Sequence, residues 1–105
     1  MKRLMKPLIN MAVRVRHIRR NMMLREIDIK WLPGGVRNLF SIKFVSRSGN
    51  VRYFPFAYAT GLSYSVKDSR QRGVQECDER GKAIGHIYPV GIDAILMFNN
   101  MEVIL

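Results

Sequence analysis

The sequence predicts a mainly all-β domain, a small SH3-like or OB-like barrel of 5–7 short strands. Three observations carry that expectation. Apolar residues alternate with polar ones over short runs from residue 25 onward, as they do in strands with one buried face. Turn residues recur between those runs, at LPGG, RSG, ERG and the pair Asn99-Asn100. The length of 105 residues suits one domain able to bury a core, with little stability to spare.

Residues 1–21, MKRLMKPLINMAVRVRHIRRN, stand apart by composition. They hold seven cations and no carboxylate, whereas residues 22–105 hold eleven cations and all eight acids. The expected organisation is a basic N-terminal segment, 1–21, followed by the β domain, 22–105. Wound as a helix, residues 2–22 place Leu4, Leu8, Met11, Val15, Ile18 and Met22 on one stripe. Lys2, Arg3, Lys6, Arg14, Arg16, His17 and Arg20 gather opposite, although Ile9 and Val13 interrupt that polar side. Pro7 suits only a first helical turn. The readings open for this segment are a helix packed on the domain, a disordered tail, an amphipathic membrane-surface helix, a phosphate-binding arm and an organelle presequence. A start codon assigned too far upstream of Met22-Met23 is a further one.

The strands follow in order. REIDIKW alternates and ends at LPGG; VRNLFSIKFVS then leads through RSG into NVRYFPF. With Arg47-Ser48-Gly49 as a three-residue loop and Gly49 left-handed, Ser46 faces Asn50, Phe44 faces Arg52, Ile42 faces Phe54 and Phe40 faces Phe56. One face becomes Phe40, Ile42, Phe44, Phe54 and Phe56. The other carries Lys43 opposite Tyr53, beside Val45 and Val51. AYATGLSY, within residues 57–72, fits a single helical turn. RGVQECD and KAIGHIY form a second hairpin through ERG, with Cys77 facing Ala83 and His86 facing Val74. VGIDAILMF, the Asn-Asn turn and MEVIL close the domain.

Net charge is +10, from 18 Lys and Arg against 8 Asp and Glu, which favours polyanionic partners. The expected function is therefore nucleic-acid binding, to DNA or RNA, through phosphate contacts with little sequence preference. Lys43, Arg47, Arg52 and Tyr53 form one candidate patch, since cations that hold phosphate beside rings that stack on bases suit single strands. Lys67, Arg70 and Arg72 in VKDSRQRG form a second, with Tyr58 and Tyr64 near for stacking. Arg14, Arg16, Arg19 and Arg20 supply an electrostatic arm. The bland readings are cross-strand packing of a Lys stem on a Tyr ring for the first patch and a solvated loop for the second.

The alternative is a protein-protein adaptor or assembly domain of a mobile-element or phage complex. It would dock, or self-associate, through strand edges and the apolar C-terminal strand of AILMFNNMEVIL.

Chemistry finds little support. Cys77 and His86 point to opposite faces of their hairpin in the expected register, so the thiol reads as a small core residue. Asp93, between Ile92 and Ile95, is expected to be partly buried and to cap a turn or pair with an Arg. One Cys and two His make no metal cluster, and Walker, GxGxxG and GxSxG motifs are absent. No enzymatic activity and no cofactor are expected. A single Cys excludes an intrachain disulfide, and no apolar run reaches about 18 residues. A cytoplasmic protein is the resulting expectation.

Overall fold

The computed structural model describes residues 16–61 and 70–105. Its elements in chain order are β1 (His17–Arg19), α1 (Arg20–Ile27), β2 (Trp31–Leu32), β3 (Val36–Arg37), β4 (Phe40–Val45), β5 (Val51–Thr60), β6 (Gln71–Cys77) and β7 (Ala83–Gly91). A 3₁₀ turn, Ile92–Ala94, then leads into β8 (Ile95–Phe98) and β9 (Met101–Ile104). Seven strands form one sheet in the order β1-β9-β8-β4-β5-β6-β7, and β2-β3 form a separate ribbon. The pairs are antiparallel except β1 with β9, which is parallel. The chain is thus mostly β, as expected. Among the described residues the sheet does not close into a barrel; β1 and β7 remain its two edges.

REIDIKW is not a strand. Met23, Leu24 and Ile27 also satisfy helical spacing, and α1 uses it to bury Met23 and Ile27 against the sheet. The alternation that suggested a strand survives only at Trp31–Leu32. Asn38 closes the C-terminal end of α1: its side-chain amide donates to the carbonyls of Glu26 (3.1 Å) and Ile29 (2.8 Å). The Glu26 carbonyl also accepts from the Ile29 amide at 3.2 Å, so the helix end is closed by backbone and side chain together. Of the expected N-terminal helix over residues 2–22, His17–Arg19 form strand β1 and residues 20–22 are the start of α1, while residues 2–15 lie outside the described residues.

The core fills the concave face of the sheet. Phe40, Ile42 and Phe44 from β4 meet Phe54, Ala57 and Ala59 from β5, Val74, Val90, Ile95 and Phe98, with Met23 and Ile27 as the lid. Rings lock this layer: Phe40 and Phe98 have centroids 5.0 Å apart, Phe44 and Phe54 5.3 Å apart and edge-on.

The β4-β5 hairpin follows the expected register near its tip. Ile42 faces Phe54, Lys43 faces Tyr53 and Phe44 faces Arg52, with Gly49 at φ +89° and the Ser46 amide donating to the Asn50 carbonyl. The register then slips: Phe40 pairs with Ala57, not Phe56. The irregularity turns Phe56 outward, so it leaves the core and Ala57 enters it. β5 runs on to Thr60, so AYAT is strand, where the sequence left a single helical turn open; residues 62–64 of that stretch are outside the described region.

The β6-β7 hairpin keeps Cys77 opposite Ala83, but a second irregularity between Gln75 and Cys77 places Tyr88, not His86, opposite Val74. Gln75 organises this bulge. Its Nε2 donates to the carbonyl oxygens of Glu76 (3.0 Å), Ile84 (2.9 Å) and Gly85 (3.3 Å), and Gly85 takes φ +69°. The side chain is buried, so its donors are satisfied by protein rather than by water.

Candidate nucleic-acid interface

Strand register assigns the candidate residues to faces. Neighbouring positions on a strand point to opposite sides, so Lys43 and Tyr53 share the convex face while Arg52 sides with Phe44 at the concave end. The four residues of the first patch are therefore split between the two sides. On the convex side the registers line up Tyr53, Lys43, Met97, Glu102 and His17 across five strands. His17 Nε2 lies 3.1 Å from Glu102 Oε1 at the far end of that row. Lys43 sits between a ring and a thioether, flanked by the Val45–Val51 pair. That is the surrounding expected of a Lys stem packed on apolar neighbours.

The second patch is reduced by its own acids. Asp93 projects from the 3₁₀ turn and receives two guanidiniums: Arg70, at 3.1 Å from Oδ1 and 3.2 Å from Oδ2, and Arg20, at 2.8 Å from Oδ1. The Arg70 hydrogen bond, with further help from its charge and that of Arg20, holds the Asp93 carboxyl below its ordinary range. Asp93 pairs with Arg as the sequence suggests, but it is exposed rather than partly buried. Arg72 forms a two-pronged pair with Asp28, at 2.8 and 3.2 Å. Arg19 donates to the Leu105 carbonyl at 3.4 Å, and Arg16 is exposed beside β9, its carbonyl accepting from the Glu102 amide. Arg14, Lys67 and Tyr64 lie outside the described residues.

What remains together is the mouth of the concave face. Arg47 and Arg52 line a groove of about 210 Å³ with Ser46, Ser48, Tyr88 and Pro89. The Arg52 guanidinium lies over the Tyr88 ring, 5.3 Å from its centroid. Tyr88 is itself held edge-on by Phe44 (6.0 Å) and Phe54 (5.4 Å), and His86 stacks on it at 4.4 Å and 26°. Ser46 and Ser48 share a hydroxyl hydrogen bond of 2.9 Å at the loop. Among the described residues neither Arg47 nor Arg52 meets a carboxylate.

Two constellations escaped the sequence reading. His86 and Tyr88 stand two positions apart on β7 and so share a side, a pairing already present in the alternation of KAIGHIY. Arg37 is held between two rings, 4.7 Å from Trp31 and 4.0 Å from Tyr58. The clue to the second was an exposed Trp one turn away from a cation, across LPGG. Cys77 is buried, and burial first, then the charges of Asp78 and Glu76, push its thiol upward, the opposite of an activated nucleophile. Among the described residues no group of His, Cys, Asp or Glu is placed to hold a metal ion, and no helix is long and apolar enough to cross a membrane. No protein-family model, curated protein or solved structure matches this chain.

Proposed function

We propose that the domain binds nucleic acid through phosphate contacts, with little sequence preference, and that Arg47 and Arg52 at the concave mouth are its principal contacts. One observation carries this reading: two guanidiniums that meet no carboxylate among the described residues flank a small groove beside a fixed aromatic ring. Guanidinium is well matched to phosphate oxygens, and the Ser46 and Ser48 hydroxyls lie within the same groove. The groove is smaller than the ~300–1,000 Å³ of a cleft for a free small molecule. It suits one unit of a polymer. The SH3-like reading of the fold belongs to the same proposal, resting on the β4-to-β7 meander and the return of β8 onto β4.

The test is fluorescence anisotropy of a labelled oligonucleotide at low and moderate salt. Binding should weaken steeply with salt, with a log–log slope of about −0.7 per phosphate neutralised on a single strand. Replacing both Arg47 and Arg52 by Ala should remove about 1.4 from that slope. Absence of binding at low salt ends the proposal.

A protein-docking role has one observation in its favour, the β2-β3 ribbon, where Trp31, Leu32 and Val36 are exposed together. The edge-pairing form of that idea is poorly served by the sheet. β9 is already paired on both sides, by β8 and β1. β7 carries Pro89, which has no amide hydrogen to give, and Gly85 in a left-handed conformation. β1 is three residues long and bears Arg19. A salt-insensitive complex lost on replacing Trp31 by Ser would favour docking over phosphate binding.

A further inference from the structure

The concave mouth also carries a feature that phosphate contacts do not use. His86 is exposed on the first half of β7, and its ring lies nearly parallel to Tyr88 at 4.4 Å. Tyr88 is not free to turn away, because Phe44 and Phe54 abut it edge-on from the core. The backbone under His86 is fixed as well: Gln75 ties the Ile84 and Gly85 carbonyls, and Gly85 at φ +69° sets the direction in which β7 continues. A planar ring is thus presented at the surface on a rigid mount, next to the groove that holds Arg47 and Arg52.

We propose that His86, stacked on Tyr88, is a base-stacking platform, and that the preferred ligand is a single-stranded nucleic acid whose phosphate rests on Arg47 and Arg52. The inference rests on the phosphate reading above and names its substrate class. A base inside a duplex has both faces covered by its neighbours, so only an unpaired base can lay a face on His86. Stacking of this kind tolerates any base, which agrees with weak sequence preference. The His86 ring also continues an existing stack rather than starting one, so little side-chain freedom is lost when a base arrives.

The experiment compares a labelled oligothymidylate with a duplex of equal length over a series of salt concentrations starting from low salt, using the full chain. The single strand should bind more tightly. His86→Ala should weaken single-strand binding about five-fold to a hundred-fold while leaving the salt slope unchanged, because a ring is lost and no phosphate contact is. His86→Phe should restore most of the affinity, and circular dichroism should show all variants folded. Arg52→Ala should instead reduce the salt slope. Equal binding of duplex and single strand, or an unaltered affinity in His86→Ala, overturns the platform while leaving the phosphate contacts standing. Failure of both oligonucleotides to bind at low salt overturns the platform and the phosphate reading together.

Discussion

Replacing Gln75 tests how the mouth of the sheet is held. Its amide reaches three carbonyl oxygens, those of Glu76, Ile84 and Gly85, from a side chain with two hydrogens to give. Gln75→Leu keeps the side chain close to its original size and removes both donors. Two net hydrogen bonds at ~0.5–1.5 kcal/mol each give a loss of about 1–3 kcal/mol. For a domain of this size each kcal/mol lowers the melting temperature by about 4–8 °C. A fall of at least about 4 °C is therefore expected by circular dichroism or differential scanning calorimetry. Gln75→Glu should be worse at neutral pH, since it sets a carboxylate against three carbonyls. Amide exchange across residues 84–87 should accelerate in both variants before global unfolding, because the bulge is the part released. An unchanged melting temperature together with unchanged exchange in that segment refutes the assignment of Gln75 as the clasp of β7. Melting temperatures of Leu and Glu variants in the reverse order would do the same.

Two further outcomes follow from titratable groups. Asp93 has a carboxyl held below its ordinary value in the folded state, chiefly by the Arg70 hydrogen bond, so its stabilisation is present at neutral pH and fades as pH falls through the carboxylate range. The pair is exposed, so the effect is small: Asp93→Asn should lower the melting temperature slightly at pH 7, and the difference should vanish in acid. A difference of equal size at both pH values removes the ion-pair explanation. Cys77, raised by burial, should resist a thiol reagent in the native protein at mildly alkaline pH and react fully once denaturant unfolds it. Rapid native labelling would show that β6 opens locally.

The residues disclose a good deal of this fold wherever a turn fixes the register. Gly49 in a three-residue loop sets Phe44 against Arg52 and Ile42 against Phe54, because side chains alternate strictly from a fixed turn. That certainty lasts until extra residues intervene, one in β5 and two in β7. The slip between Phe40 and Ile42 sends Phe56 outward, and the one at Gln75–Cys77 carries Tyr88 to the place expected of His86. Pro55 and Gly85 mark where such bulges are tolerated, but the size of each slip is set by packing of the whole sheet. The segment around Ile27 was ambiguous for another reason. Met23, Leu24 and Ile27 satisfy a helix, and Ile27, Ile29 and Trp31 satisfy a strand, so tertiary packing of Met23 and Ile27 decides. The candidate site was legible as a set of cations but not as a surface. Which Arg finds a carboxylate depends on contacts such as Arg72 with Asp28 and Arg20 with Asp93, separated by 44 and 73 positions along the chain.

The parallel pairing of β1 with β9 ties together the first and last strands described. Arg19 reaches the carbonyl of Leu105 across 86 positions of chain, and among the described residues no hydrogen bond closes a longer span. Closure of that span is entropically slow compared with zipping the β4-β5 hairpin, so the two events should be separable in time. In a refolding experiment the central meander is expected to form first, leaving His17–Arg19 to dock as a late step onto a surface already made. On a ribosome the same geometry imposes an order. Of the described strands β1 emerges first, and the strand it pairs with, Met101–Ile104, is made after all the others described, so the older of the two must wait for the younger.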